Sequence, residues 1–330
     1  MKVGMDGMPI GSLLKIEDDP LLVMDHAIAL GYEGVLLGNG PLRDEGVRRQ
    51  VIAKAKANNL YVEMGGAGID AALSGKSPKE LAADWKAIFP LAKEVGSPIL
   101  VTGLGNWPWD GRIIREPGRT LADQIAGSIT TLRELRAMAA DWGVIVTIHT
   151  AFNTAREYLQ IVEAVDSPYV GLCLDTANSF LVLEDPVDFA RAVIPYVHST
   201  HLKDSFIYLD GEGIHWLGGC ELGKGTVDLA AIVEMLFRAN PQCNLSIEDH
   251  WGRGTNPMLR PAFLESLGPW EGERLAKVLG HLSRGKGLLD SGAQLTGPAA
   301  QQVDWLQAFP KRLRLDALYA KGLRDALQRT

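Results

Sequence analysis

Short β-branched segments alternate with longer helical segments along most of this 330-residue chain. Short apolar runs between turn formers are typical of strands, and apolar residues at every third or fourth position are typical of amphipathic helices. Regular alternation of the two favours a parallel sheet, because each strand is connected to the next through a helix. The predicted strands cover eight ranges: 2–5, 34–37, 60–64, 99–102, 144–149, 170–175, 197–202 and 244–248.

Helical segments connect these strands. They cover residues 21–30, 46–58, 78–95, 120–142, 153–164, 186–194 and 228–239, and an eighth follows residue 256. Eight strand–helix units in about 280 residues predict a (β/α)₈ TIM barrel, with a doubly wound sheet as the alternative fold. We assign the barrel to residues 1–286 and expect its active site at the C-terminal ends of the strands.

The last part of the chain, residues 287–330, has a different pattern. It opens with the turn-rich Gly287-Leu-Leu-Asp-Ser-Gly-Ala and continues as a basic amphipathic pattern over residues 303–329. Acidic residues interrupt the basic face, which favours a helix packed on protein over one lying on a membrane. We predict a C-terminal helical extension that packs on the barrel or forms an oligomer interface. A homo-oligomer is expected, with a hetero-complex as the alternative.

Charge and composition limit the partners. A formal net charge of -7 argues against nucleic acid, which basic surfaces bind. The N-terminus has no apolar core typical of a signal peptide, and no apolar run approaches the roughly 18 residues needed to cross a bilayer. Three cysteines without zinc-type spacing are expected to be reduced and buried. The sequence therefore predicts a cytoplasmic protein that binds neither nucleic acid nor membrane.

Polar residues end four consecutive predicted strands. Strands five to eight end in His149, Asp175, His201 and Glu248. Side chains alternate along a strand, so only one of His198 and His201 faces the barrel axis, and His201 lies nearer the C-terminal end. Two imidazoles and two carboxylates suit Mn²⁺, Zn²⁺, Co²⁺ or Fe²⁺ better than Mg²⁺ or Ca²⁺. The pattern predicts one divalent metal site, with metal-free substrate binding by the acidic residues as the alternative.

Four motifs in the second half of the chain carry a family resemblance. They are Gly171-Leu-Cys-Leu-Asp-Thr-Ala-Asn, Thr200-His-Leu-Lys-Asp, Gly223-Lys-Gly-Thr-Val-Asp and Leu245-Ser-Ile-Glu. In this order and spacing they resemble the sugar phosphate isomerase/epimerase family, the xylose isomerase-like TIM barrels. The resemblance implies metal ligands at the ends of strands five to eight, which carries over onto Asp175, His201 and Glu248.

His149 departs from the family pattern, in which a glutamate at the end of strand five serves as metal ligand and base. Epimerisation by two bases needs one base on each face of an enediolate. An imidazole that binds metal through one nitrogen has little capacity left to accept a proton. Either His149 stays free as a base or Glu248 works alone. Both are predicted to be catalytic, and both to be metal ligands.

The resemblance implies a metal-dependent carbohydrate enzyme, with Mn²⁺ as the expected ion. It would abstract a proton next to a carbonyl of a keto sugar and stabilise the enediolate, as an isomerase or epimerase. The close alternative is a lyase that uses the same site for β-elimination from a keto sugar or 3-keto glycoside. An alternative of another class is a non-catalytic barrel subunit of a hetero-complex. A phosphodiesterase or abasic-site endonuclease would need more metal ligands than these strand ends offer.

Several residues near these strand ends are predicted to bind substrate. Lys203 shares the parity of His201 and is expected to hold a substrate oxygen or to form a salt bridge with a neighbouring acid. Asn178 occupies a turn position where the family often places a substrate contact, and His250 is expected to contact substrate or a metal ligand. Aromatic rings in loops after strands four and eight are expected to stack on a sugar, with anchoring of the loops as the alternative: Trp107, Trp109 and Trp251.

Two further features have alternative interpretations. Glu63 on strand three supplies either a further carboxylate for the site or an exposed charge. The stretch Gly218-Gly-Cys-Glu-Leu-Gly-Lys-Gly-Thr resembles a phosphate-binding loop. That motif requires Ser or Thr directly after the lysine, and Gly225 occupies the place, so we do not predict nucleotide binding.

Overall fold

The structure is a computed structural model that describes residues 1–104, 120–211, 213–251, 255–257 and 261–329. The strands, in chain order, are β1 (Val3–Asp6), β2 (Gly34–Leu37), β3 (Tyr61–Gly65), β4 (Ile99–Thr102), β5 (Ile145–His149), β6 (Val170–Asp175), β7 (Val197–His201), β8 (Ile207–Asp210), β9 (Gly213–Leu217), β10 (Leu245–Ile247) and β11 (Thr255–Pro257). Strands β1 to β7 and β10 form one parallel sheet of eight strands, and β8, β9 and β11 form a separate antiparallel sheet.

The parallel sheet closes on itself as a barrel. Strand β1 pairs with β10 on one side and with β2 on the other. Between β7 and β10, the Leu202 amide donates to the Ser246 carbonyl at 2.7 Å and the Glu248 amide donates to the Leu202 carbonyl at 3.2 Å. The predicted (β/α)₈ TIM barrel is confirmed, and the bounds of each predicted barrel strand lie within one residue of those observed.

Helices surround the barrel. In chain order they are α1 (Gly7–Leu14), α2 (Pro20–Leu30), α3 (Glu45–Ala57), α4 (Ala71–Ser74), α5 (Pro78–Trp85), α6 (Ile88–Val95), α7 (Leu121–Trp142), α8 (Ala155–Val165), α9 (Pro186–Val193), α10 (Leu229–Ala239), α11 (Pro261–Ser266), α12 (Gly272–Asp290), α13 (Gly297–Gln301) and α14 (Trp305–Leu327). Capping boxes begin several of them. In α8 the pair Thr154 and Glu157 fixes the point where the chain, leaving β5, turns into a helix.

The single helix predicted over residues 78–95 is observed as two, α5 and α6. Pro90 explains the break. Its ring clashes with the carbonyl four residues earlier, at Lys86, and it has no amide hydrogen to donate. The chain therefore restarts its helix at Ile88, which places Pro90 in the first turn, where proline is tolerated.

A β-hairpin follows β7, in a stretch where the sequence pattern predicts no strand. Strand β8 pairs with β9 in antiparallel register, and α12 packs against this hairpin. This close approach requires a glycine at position 285 of α12, since an added Cβ would lie 2.0 Å from the Ile207 carbonyl oxygen. A larger residue at this position would push α12 away from the barrel.

The C-terminal helix α14 packs on the outside of the barrel. The Tyr32 hydroxyl donates to the Leu313 carbonyl at 2.7 Å, and Arg324 pairs with Glu33 at 2.6 Å. Helix α12 continues past residue 287, and the division into a barrel of residues 1–286 and an extension of residues 287–330 stays a prediction.

Two predictions about the chemistry of the chain can be compared with the structure directly. The three cysteines are free and buried, as expected: Cys173, Cys220 and Cys243. Among the described residues, no helix has the length and apolar content needed to cross a bilayer. The cellular compartment and the state of assembly stay predictions.

Candidate metal centre

Four side chains meet at the C-terminal mouth of the barrel. They are His149 at the end of β5, Asp175 at the end of β6, His201 at the end of β7 and Glu248 directly after β10. Each offers one ligand atom, and these atoms all lie within 4.8 Å of one another. The structure thus brings together all four residues that the sequence analysis proposed. His198 lies outside this cluster, with its ring against Gly171.

The pleat of the strands explains why these residues converge. One layer below, the Thr147 and Ser199 hydroxyls lie 3.0 Å apart across the barrel interior, from β5 and β7. Side chains two residues further along each strand point to the same side, which places His149 and His201 inside as well. Asp175 lies opposite His201 in the register of β6 and β7.

The ligand atoms face one another closely. Nε2 of His149 lies 3.3 Å from Oδ2 of Asp175 and 3.6 Å from Oε2 of Glu248. Nδ1 of His201 lies 3.3 Å from the same Glu248 oxygen. Both ring nitrogens of His201 are buried and make no hydrogen bond of normal geometry with any described residue. Oε2 of Glu248 faces Lys203 as well as both histidines. Buried polar atoms are costly to leave unsatisfied. A divalent cation would be bound by one ring nitrogen of His201 and by Oε2 of Glu248, so the donor set fits a metal.

Neighbouring groups hold the orientation of Asp175. Its Oδ1 accepts hydrogen bonds from the backbone amides of Ala177 at 2.9 Å and Asn178 at 2.8 Å. Its own amide donates to the Thr150 hydroxyl at 2.9 Å. Because Oδ1 is occupied by the following turn, Oδ2 is the oxygen directed at the cluster.

The charges of the site stabilise one another. Burial alone would raise the pKa of Glu248, but Lys203, His250 and His201 hold this pKa well below its ordinary value. Burial disfavours a charged imidazole, yet hydrogen bonds to Asp175 and Glu248 leave the pKa of His149 above its ordinary value. Without a metal, protonated groups therefore balance the carboxylates.

Lys203 is fully enclosed in this cluster. Its Nζ lies 2.8 Å from Oδ2 of Asp175, 2.7 Å from Oε2 of Glu248 and 3.5 Å from Oδ1 of Asn178. The salt bridge that the sequence analysis offered as one alternative is present, and it involves both carboxylates. Contact between Lys203 and substrate stays a prediction.

The other predicted substrate residues occupy different environments. Nε2 of His250 lies 2.8 Å from Oε1 of Glu248, so this histidine contacts a candidate metal ligand. Nδ2 of Asn178 donates to the Thr150 carbonyl and lies 3.5 Å from Nε2 of His149. Trp251 is half-buried and packs on the hydrophobic core. Trp107 and Trp109 lie outside the described residues. For all five, a role in substrate binding stays a prediction.

Glu63 is a buried carboxyl group inside the barrel. It is 1% exposed and accepts a hydrogen bond from the Ser246 hydroxyl at 3.2 Å, which in turn lies 2.8 Å from the Tyr61 hydroxyl. Burial raises the pKa of Glu63 to about 7. The expectation of an exposed charge is therefore wrong. Its partner Ser246 lies 183 residues away in the chain, so no local sequence signal indicated the contact.

The glycine-rich loop before α10 encloses a carboxylate that belongs to the chain. The backbone amides of Gly223 and Gly225 both donate to Oδ2 of Asp204 at 2.9 Å. An added Cβ at Gly225 would lie 2.2 Å from Oδ1 of the same aspartate. The glycines therefore allow the backbone to approach Asp204, which directly follows Lys203.

Comparison with known families agrees with the fold and the cluster. The family model described as xylose isomerase-like TIM barrel matches residues 24–268, well over half of the chain. This chain belongs to the xylose isomerase-like TIM barrel family. The resemblance inferred from the four motifs is confirmed.

One curated relative matches part of this barrel. A 3-oxo-isoapionate decarboxylase of Pectobacterium atrosepticum is 36% identical over 100 residues. The match covers 29% of this chain and 35% of the decarboxylase. The similarity is therefore local to about a third of each protein.

Solved structures share the fold over most of this barrel protein. A D-psicose 3-epimerase from Clostridium cellulolyticum H10 has a TM-score of 0.60 and 17% identity, covering 88% of this chain and 99% of that one. A 3-keto-D-glucoside 4-epimerase from E. coli has a TM-score of 0.57 and 19% identity, covering 81% and 97%. A xylose isomerase domain protein from Planctomyces limnophilus has a TM-score of 0.54 and 21% identity, covering 81% and 93%. At these identities the likeness concerns the fold.

Proposed function

We propose that this barrel is a divalent-metal-dependent carbohydrate enzyme that acts as a lyase, releasing CO₂ from a 3-oxo sugar acid. The orientation of His149 carries the proposal. Its Nε2 faces Asp175 and Glu248 at 3.3 and 3.6 Å, which is the position of a metal ligand. An Nε2 that binds metal in this orientation would not be free to act as a second base on the substrate.

Glu248 is also occupied on both oxygens. Oε1 lies 2.8 Å from His250, and Oε2 faces Lys203, His201 and His149. Epimerisation by two bases needs two acceptors with free lone pairs on opposite faces of the substrate. The described cluster offers its lone pairs to a common centre instead, which supports a reaction that does not begin with proton abstraction.

Decarboxylation of a 3-oxo acid has that property. The bond between the carboxylate carbon and C2 breaks, and its electron pair moves toward the C3 carbonyl to give an enolate. CO₂ leaves, and C2 then takes up a proton. The reaction needs stabilisation of the negative charge at the carbonyl oxygen and a proton afterwards, but no base at the start.

The four clustered side chains would hold the metal. A divalent ion bound there supplies a Lewis acid that polarises a carbonyl oxygen and stabilises the negative charge developing on it. We propose Mn²⁺, with Zn²⁺, Co²⁺ or Fe²⁺ as alternatives, because the donor set mixes imidazole and carboxylate. Lys203 and Asn178, which border the cluster, are proposed to orient substrate oxygens.

The relative with 36% identity over 100 residues supports the substrate class, because its name is that of a decarboxylase of 3-oxo-isoapionate. A second candidate is the isomerase or epimerase route, which is favoured by the presence of both His149 and Glu248 at one site. β-Elimination from a keto sugar or 3-keto glycoside needs one base and is the third candidate.

The experiment that separates these candidates uses metal-loaded protein in D₂O. With 3-oxo-isoapionate as the first substrate, we expect one CO₂ per turnover and one deuterium on the carbon that lost the carboxylate. Keto sugars without a carboxylate are expected to show no exchange. Deuterium exchange into such sugars without loss of any group would contradict the proposal and favour the epimerase, and release of a β-substituent would favour elimination.

A further inference from the structure

Helix α14 carries two arginines that reach the barrel at opposite ends. The side chain of Arg324 contacts Glu33 at 2.6 Å, just before β2 begins. The side chain of Arg312 contacts Asp249, just after Glu248 and the end of β10. Both arginine side chains are 14% exposed. Helix α14 therefore contacts the N-terminal end of the barrel strands through Arg324 and their C-terminal end through Arg312.

The contact at the mouth leads directly to a candidate metal ligand. Nη2 of Arg312 contacts Oδ1 of Asp249 and lies 3.5 Å from the His250 carbonyl oxygen. The ring of the same histidine contacts Oε1 of Glu248 at 2.8 Å. One guanidinium thus holds the two residues that follow Glu248, and the second of them holds the carboxylate of Glu248 itself.

The ion pair between Arg312 and Asp249 contributes more to the position of these two residues than to the stability of the fold. Asp249 is 1% exposed. Oδ2 of Asp249 and Nε of Arg312 are buried and make no hydrogen bond with any residue in the described ranges. A buried pair with unsatisfied atoms contributes little net stability, because desolvation offsets the attraction. The contribution that remains is the fixed position of Arg312 relative to Asp249.

The neighbouring loop is shaped around this pair. An added Cβ at Gly219 would lie 2.8 Å from Oδ1 of Asp249 and 3.6 Å from Nη2 of Arg312. One turn further along α14, Oδ1 of Asp316 accepts a hydrogen bond from the Leu222 amide at 2.8 Å. Helix α14 therefore fixes both the segment after β10 and the glycine-rich loop that encloses Asp204.

From these contacts we infer that Arg312 is a positioning residue for the metal site. It acts through Asp249 and His250, which it holds in place. The oriented imidazole in turn fixes the carboxylate of Glu248 toward the other ligands. Helix α14 therefore contributes to the geometry of the metal site through Arg312. This inference rests on the metal site of the proposed function.

The first test compares two matched substitutions in the full chain. Arg312→Met and Arg324→Met each remove a guanidinium of equal exposure from the same helix and leave an unbranched apolar side chain. We expect the dissociation constant for Mn²⁺, measured by calorimetric titration, to rise about tenfold in Arg312→Met, the low end of the effect of outer partners on metal affinity. Arg324→Met is expected to bind Mn²⁺ as the unchanged protein does, and circular dichroism verifies folding of both.

A second variant separates position from charge. Arg312→Met leaves Asp249 as an unpaired buried charge, and combining it with Asp249→Asn removes that penalty. A purely structural role predicts that the double variant recovers both melting temperature and Mn²⁺ affinity. The positioning role predicts recovery of melting temperature alone, with Arg312→Lys regaining part of the affinity.

The outcomes distinguish this inference from the proposed function. Equal Mn²⁺ affinity in Arg312→Met and Arg324→Met, or full recovery of affinity in the double variant, would overturn the positioning role. Failure of the unchanged protein to bind Mn²⁺ or any other divalent ion would instead overturn the metal site of the proposed function.

Discussion

The two halves of the barrel use polar residues at their strand ends differently. In the first half, Oδ1 of Asp6 accepts the Met8 amide at 2.9 Å, and the Thr102 hydroxyl donates to a backbone carbonyl at 2.6 Å. In the second half, Nδ1 of His201 lies 3.3 Å from Oε2 of Glu248, and both ring nitrogens of His201 are buried without a hydrogen bond to the described residues. Asp6 and Thr102 of the first half therefore bond to the backbone, whereas the side chains of His149, His201 and Glu248 of the second half face one another.

This difference gives a rule for substitutions. Removing a strand-end carboxylate in the first half should change stability while leaving metal affinity intact. Removing one in the second half should remove metal. At Asp175 an asparagine would keep an oxygen for the backbone amides of Ala177 and Asn178, so the fold should persist.

The largest expected effect comes from Asp175→Asn. An amide cannot replace the carboxylate oxygen that faces both His149 and Lys203, so we expect Mn²⁺ binding in calorimetric titration to fall below detection. The matched control is Asp70→Asn, since Asp70 is also buried but caps α4. Asparagine caps helices nearly as well, but its NH₂ group cannot accept from Nε2 of Gln124 as Oδ2 of Asp70 does, so the control should lose about 1–3 kcal/mol of stability and no metal. Retained Mn²⁺ binding in Asp175→Asn would contradict the difference proposed between the two halves of the barrel.

A smaller effect on metal is expected for His149→Ala. This side chain is the most exposed of the four, at 22%, and three ligands remain. We expect Mn²⁺ affinity to fall by more than the roughly tenfold loss typical of an outer partner. CO₂ release, measured with saturating metal, should fall because one ligand of the Lewis acid is missing. His149→Glu is the variant to compare with it, because it places a carboxylate at the end of strand five. This variant should gain deuterium exchange into keto sugars that carry no carboxylate. Unchanged turnover in His149→Ala would remove the histidine from the mechanism.

The smallest expected effect concerns Glu63 of the first half, whose pKa is raised by burial to about 7 from an ordinary value of 4.5. Between these values the folded state binds more protons than the unfolded state. The contribution of this group to stability is therefore complete below pH 4.5 and is lost as the pH rises through 7.

The corresponding test is Glu63→Gln in chelated, metal-free protein. Glutamine does not titrate, so the variant should gain up to ~3 kcal/mol in unfolding free energy relative to the original chain between about pH 4.5 and 8. Urea unfolding at several pH values measures this gain. Glu45→Gln, at an exposed position of α3, is the control and should show no such trend. A flat difference for Glu63→Gln would mean that the carboxyl is solvated.

The sequence predicted the residues whose position follows from strand parity alone. His149, Asp175, His201 and Glu248 end strands at the same level, so the pattern places them together once the barrel is recognised. The sequence did not predict that Lys203 contacts both Asp175 and Glu248. Strand parity determines the side of the sheet on which a residue lies, but not the position of a flexible ammonium group.

Long-range contacts were the other part that the sequence did not provide. Arg312 touches Asp249, 63 residues earlier, and the sequence pattern assigned its helix only to packing or an oligomer interface. The helix break at Pro90 follows from a local rule that was available. Contacts such as that of Arg312 depend on where a whole helix docks, which amphipathic periodicity leaves open.

The most direct test of the central claim is the metal content of the protein purified without chelator or a nickel column, determined by mass spectrometry. The account predicts about one Mn, Co, Fe or Zn per chain, the stoichiometry of a single four-ligand site. Protein that carries no divalent metal, and takes up none when it is reloaded, would contradict the metal centre and every step proposed to depend on it.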